Sequence, residues 1–172
     1  MRTMLPLEHD PAGYEHLCKW LSETGHSLQE ELWDLDEDER QSIPGPGEWS
    51  FHRLAFHLMA VEEATLDAVE LICRQHGPVL DARDPNLEAE EADLDSIDME
   101  TCLYRLERAR HGLLYHVCDL TDRLWQRAGT HPYRGRVTMA ELLTDLSRHD
   151  LEHLWQIRRE KQAARLAGPR RR

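Results

Sequence analysis

The sequence is short of most features that mark secreted, membrane or nucleic-acid-binding proteins. Its four cysteines, Cys18, Cys73, Cys102 and Cys118, include no CxxC pair. They read as reduced thiols, with Cys73 and Cys118 packed near apolar stripes, and not as a disulfide framework. No apolar run approaches the ~20 residues needed to span a bilayer. Residues 1–6 hold no apolar stretch long enough for a secretory signal. Basic charge is also scarce: 21 Lys+Arg stand against 33 Asp+Glu, a net charge of -12. Such a chain repels phosphate backbones, which argues against broad nucleic-acid binding. Internal repeats and the alternation of strands are both missing. The expectation is a soluble, cytoplasmic protein acting on a small-molecule substrate, with no nucleic acid and no membrane as partner. Its 172 residues suit one domain over 1–172, with 169–172 a disordered tail.

What is present is helical periodicity. Tyr14, Leu17, Leu21, Leu28, Leu32 and Leu35 recur at steps of three, four and seven, which predicts a helix over 11–36 with Asp10 as its cap. Two prolines and two glycines within 42–47 then break the chain. A second helix over 49–76 carries Leu54, His57, Val61, Ala64, Ala68 and Leu71 on one face. The stretch 81–95 holds seven acidic residues and one basic one, and reads as an exposed connection with at most a short helical turn. It is too long for a hairpin between antiparallel helices and suits a crossover between parallel ones. Leu103, Leu106, Leu113, Val117, Leu120 and Leu124 predict a third helix over 99–126, and 127–136 reads as a loop. Thr138 and Glu141 form a capping box for a fourth helix over 138–167, which Gly168-Pro169 ends. The fold class is therefore all-α, a four-helix bundle.

The fourth helix is the informative one. Its core stripe is apolar at Met139, Leu142, Leu143 and Leu146, then turns to His149, Asp150, His153 and Gln156. A buried polar group without a partner costs on the order of 1–3 kcal/mol, so four together must satisfy one another, a metal or a ligand. His149 and His153 are one turn apart, the spacing that chelates a divalent cation. His57, on the core stripe of the second helix, is the best third ligand. Alone, His57 suits a hydrogen-bonded core histidine, and the HxxxH pair suits a solvated face. Their coincidence on core stripes favours a three-histidine metal site with an open position.

Trp49-Ser50, His57-Leu58 and Glu62, followed by 135–143 (GRVTMAELL) and His149-Asp150-x-x-His153-x-x-Gln156-Ile157, resemble the DinB/YfiT-like superfamily over nearly the whole chain. The resemblance implies an up-down-down-up bundle with a long crossover between helices two and three, which the 77–95 connection suits independently. It implies that His57, His149 and His153 hold a divalent metal, zinc or nickel, often in a homodimer. It also implies, for some relatives, transfer or isomerisation chemistry with bacillithiol, mycothiol or glutathione in detoxification or stress.

Asp150, Gln156 and Glu62 are the supporting candidates. Asp150 and Gln156 suit orientation of an imidazole or substrate, while Glu62 reads more readily as an exposed salt-bridging residue than as a catalytic one. Trp49 reads as a packing anchor, and His131 as a loop residue able to approach the pocket mouth. His52 stands at the wrong interval from His57 to share its face. The leading functional expectation is metal-dependent transfer of a low-molecular-weight thiol to a small electrophile. The alternatives are hydrolysis by activated water and a non-enzymatic metal or small-ligand binding module. His149 to His153 also matches H-x-x-E-H, but only nineteen residues follow, too few for the further carboxylate ligand of inverted zinc peptidases.

Overall fold

The computed structural model describes residues 11–45 and 47–167; the expected Asp10 cap, the Gly168-Pro169 stop and the 169–172 tail lie outside them. The described elements are α1 (Pro11–Trp33), α2 (Glu37–Gln41), α3 (Phe51–Arg74), α4 (Pro85–Glu91), α5 (Met99–Val117), α6 (Asp122–Trp125), β1 (Ala128–His131), β2 (Gly135–Thr138) and α7 (Met139–Ala167). The long helices α3, α5 and α7 begin where the sequence supplies an oxygen for an unpaired amide. Ser50 accepts from the Arg53 amide at the start of α3, and Asp98 accepts from the Thr101 amide at the start of α5. Thr138 and Glu141 make the predicted capping box, at 3.1 Å and 2.7 Å, ahead of α7.

Pairs of contacts fix the helix directions. Gln29 of α1 reaches Leu103 of α5, and Leu21 reaches Arg110, so α1 and α5 are antiparallel. Thr24 reaches Asp150 and Glu31 reaches Arg158, so α1 and α7 are parallel. Glu63 with Arg105 and Glu70 with His116 make α3 and α5 parallel. The order is up-down-down-up, with 75–98 as the crossover that two parallel neighbours require.

Three boundaries differ from the periodicity. α1 ends at Trp33 because Asp36 caps α2 instead, in a capping box with Glu39. The third helix stops at Val117, and Thr121 starts the separate α6; the apolar stripe continues because both pieces face the core, and Trp125 stacks on Tyr14 at 4.5 Å. The stretch expected as a plain loop is a hairpin, β1 pairing β2 from Ala128↔Thr138 to His131↔Gly135. Its strands are too short to show alternation, and Gly135 turns the chain at φ 74. Thr130 also bonds Pro78 and Leu80, so the hairpin clamps the start of the crossover. The 81–95 stretch contains α4, capped by Asp84 and started by Pro85.

The cysteine expectation is corrected at Cys118. All four thiols are free and Cys73 packs half-buried against the core, as expected, but Cys118 lies exposed just past α5, and the buried thiols are Cys18 and Cys102. No described helix is long and apolar enough to cross a membrane.

Apolar side chains form two clusters stacked along the bundle. One gathers Leu21, Val69, Leu113, Val117, Leu143 and Leu146; the other gathers Leu28, Leu54, Leu58, Leu103, Leu106 and Ile157. Between them each long helix contributes one buried polar residue: Thr24, Glu62, Arg110 and Asp150.

Candidate metal centre

That polar layer is organised by Arg110. Its guanidinium donates to both oxygens of Glu62 at 2.6 Å and to Asp150 at 2.8 Å, and it also donates to the Leu21 carbonyl. Asp150 accepts a further bond from the Thr24 hydroxyl at 2.9 Å. Gly25 makes room, since a Cβ there would lie 2.9 Å from an Arg110 nitrogen. Burial raises the pKa of Glu62 and Asp150, and Arg110 opposes it. Burial alone would lower the pKa of Arg110, but the two carboxylates raise it above its ordinary value. Glu62, expected at the surface, is thus 1% exposed and locked in an interior ion pair. It shares the Leu58–Val69–Ile72 stripe, and only its charge hid that. Arg110 was not a sequence candidate. Its signal was a gap: it occupies the step between Leu106 and Leu113 where the heptad stripe calls for leucine.

Beside this layer, His57 of α3 meets His149 and His153 of α7, with one ligand nitrogen from each inside a mutual distance of 4.8 Å. Ring centroids lie 5.0, 5.1 and 4.4 Å apart for the three pairs. The facing Nε2 atoms of His57 and His149 are 2.9 Å apart. His57 donates its Nδ1 proton to the Pro85 carbonyl at 3.4 Å, and His153 donates its Nδ1 proton to the Gln156 amide oxygen at 2.9 Å. Each neutral ring carries one proton. With Nδ1 protonated, His57 and His153 present Nε2 lone pairs to the centre.

Burial, then the neighbouring histidines, pushes His57 down to about 4 and His149 down to about 3. Burial lowers His153 as well. At neutral pH the rings are uncharged, and the Nε2 lone pairs of His57 and His153 face the centre, a donor set that suits a divalent cation. Zn–N bonds of about 2.0–2.1 Å require nitrogens roughly 3.3 Å apart at tetrahedral angles, within the range observed here. The buried Nδ1 of His149 has no hydrogen-bond partner among the described residues. The residues present fit such an ion.

The remaining sequence candidates divide. Gln156 supports His153 directly. Asp150 acts through Arg110 and Thr24, one layer inward. The Trp49 ring packs 5.3 Å from the His57 ring. His52 is buried away from the centre, bonding the Ile97 carbonyl at 2.9 Å. The Pro85 carbonyl was not legible in the sequence, because the contact depends on how the crossover folds back.

Two outcomes follow at this site. Gln156→Ala is expected to weaken divalent-metal affinity about 10–100-fold, the usual effect of losing the group that orients a ligand imidazole; competition against a chromogenic chelator measures it. The depressed histidine pKa values also set a pH window. Unfolded histidines titrate near 6.5 and the folded ones near 4 and 3, so the unfolded state binds more protons throughout that interval. Stability of the metal-free protein is then complete above about pH 6.5 and falls as pH drops toward 4. Urea titrations across pH 3–8 check this, and a flat profile between pH 6.5 and 4 contradicts it.

The fold and the site define a class: an up-down-down-up four-helix bundle with a three-histidine cluster between its second and fourth long helices. The chain belongs to the DinB superfamily, which it matches over residues 21–157. It is similar in structure to YfiT from Bacillus subtilis, described as a probable metal-dependent hydrolase with an unusual four-helix bundle topology. That similarity has a TM-score of 0.83 at 16% identity, covering 94% of this chain and 93% of that one. TT2238, a four-helix bundle protein, matches with a TM-score of 0.61 at 21% identity, covering 84% of this chain and 98% of that one. No curated protein matches the chain.

Proposed function

We propose that the chain is a metal-dependent enzyme that activates a low-molecular-weight thiol for attack on a small electrophile. The observation that carries the reading is the convergence of one buried and two half-buried neutral imidazoles with no fourth histidine, cysteine or carboxylate among the described residues of the cluster. Three protein ligands are the count of catalytic zinc sites, whereas closed structural sites use four. A divalent cation, zinc or nickel, supplies Lewis acidity there, lowering the pKa of a coordinating thiol or water.

The protein's own groups favour the thiol. A free thiol starts near pKa 8.5 and water near 15.7, so the thiol needs far less help. Glu62 and Asp150, the carboxylates that sequence nominated, are tied to Arg110 and do not serve as a base for water. The two buried cysteines are poor nucleophiles, since burial pushes the Cys18 thiol up to about 12 and the Cys102 thiol up to about 11. Bacillithiol, mycothiol and glutathione are the cosubstrates to try. Hydrolysis is the second reading, favoured by the description of YfiT as a probable metal-dependent hydrolase.

The test compares metal-loaded, metal-free and His153→Ala protein on those three thiols with a chlorinated aromatic electrophile, beside a panel of esters and amides. Thiol consumption in the metal-loaded protein alone supports the proposal. Metal-dependent cleavage of the esters or amides without thiol replaces it with hydrolysis. Inactivity on both panels reduces the protein to a metal-binding module.

A further inference from the structure

A cleft of about 250 Å³ opens beside the histidine cluster, between α3 and α7, under the crossover and the hairpin. Its apolar lining is Val61, Ala64, Ala68, Leu71, Leu80 and Leu142. Val61, Ala64, Ala68 and Leu71 continue the α3 face that begins with His57, and Leu142 lies two turns before His149 on the face of α7 that carries it. Pro85 joins the two regions, since it lines the cleft while its carbonyl holds the His57 ring. The cleft thus lies alongside the His57 ring, one turn of α3 further on, with none of the three histidines in its wall. Ala64 and Ala68 keep it open where other core positions carry leucine.

Its rim is polar but balanced. Asp67 and Asp81 stand against Arg83 and Arg134. Both guanidiniums already sit in ion pairs: Arg83 is bound to both oxygens of Glu88 at 2.9 and 2.7 Å, and Arg134 to Asp145 at 2.5 Å. A carboxylate or phosphate therefore meets no net positive charge at this rim. An uncharged apolar molecule needs none. Size narrows the choice, because apolar cavities of about 150 Å³ hold a benzene molecule, and this one is larger by room for a substituent or two.

We infer that this cleft is the binding site for the electrophile, and that it selects an uncharged molecule built on a single substituted ring, held with one end toward His57. The inference rests on the metal-centre reading and adds the substrate class to it.

Fluorobenzene is the probe, followed by fluorine NMR with the protein loaded with cobalt or with zinc. The expected result is a fluorine shift much larger with cobalt than with zinc, because the paramagnetic ion adds its own displacement to a nearby resonance. The methyl signals of Leu80 and Leu142 shift in the same titration. Ala64→Leu and Ala68→Leu, each checked for helicity and cobalt content, fill the cleft and abolish the fluorine shift. Absence of any cobalt-specific shift in the wild-type protein, with cobalt bound, overturns the inference and leaves the metal centre standing. A shift that survives in both leucine variants, or that moves neither leucine methyl, places the ring elsewhere and also overturns it. Failure to bind cobalt or zinc at all removes the metal-centre reading and this inference with it.

Discussion

Replacing Arg110 with methionine is expected to lower the free energy of unfolding by about 3–5 kcal/mol, the cost of removing one partner from a buried ion pair. The reason lies in what stays behind. Glu62 is 1% exposed and Asp150 equally so; without the guanidinium, two carboxylates face an interior that solvates neither. The Leu21 carbonyl loses its long-range donor as well. The change reads as a shift of the urea midpoint at unchanged slope. A triple variant, Arg110→Met/Glu62→Leu/Asp150→Leu, separates charge from packing, because replacing a whole buried ionic group with apolar residues is often neutral. Thr24 tolerates this, since its hydroxyl also reaches the Leu21 carbonyl at 3.4 Å. The triple variant is expected to recover most of the loss. A cost below about 1 kcal/mol for Arg110→Met, the size of an exposed pair, contradicts the account of the polar layer.

The second large effect falls on His57. His149 and His153 come from a single helix and present a chelating pair wherever that helix forms. Only His57 is placed to tie such an ion to α3. His57→Ala is expected to weaken divalent-metal affinity by more than about 100-fold, since loss of an orienting partner alone costs about 10–100-fold. Metal also stabilises the fold by mass action, by about 4 kcal/mol when its free concentration is a thousandfold above Kd. The variant should lose that gain while keeping its helical circular dichroism. Chelator competition and thermal unfolding with and without metal measure both. An affinity within threefold of wild type would mean that α7 holds the ion unaided.

How far these features were legible depended on whether they were periodic. The four long helices and the polar half of α7 announce themselves by spacing, because core positions on a helix recur at steps of three and four. His57, His149 and His153 were readable for the same reason, being polar residues at positions where the stripe demands leucine. Glu62 and Arg110 carry the same signal, but a charge at a core position looks like a solvated residue until its partner is known. Each is the other's explanation, across 48 residues of sequence. The break after Val117 and the β1–β2 hairpin were hidden because local capping and a four-residue ladder leave no periodic trace. The Pro85 contact and the cleft depend on how the crossover lies, which spacing does not encode.

The central claim is that the three imidazoles hold a divalent metal ion, and metal content tests it most directly. Tag-free protein, reconstituted and desalted, is measured by elemental mass spectrometry beside a His149→Ala/His153→Ala variant. The account predicts close to one divalent ion per chain in the wild type and none in the variant, with helical circular dichroism retained in both. A wild-type protein that stays metal-free after reconstitution, or a variant that keeps its ion, contradicts it.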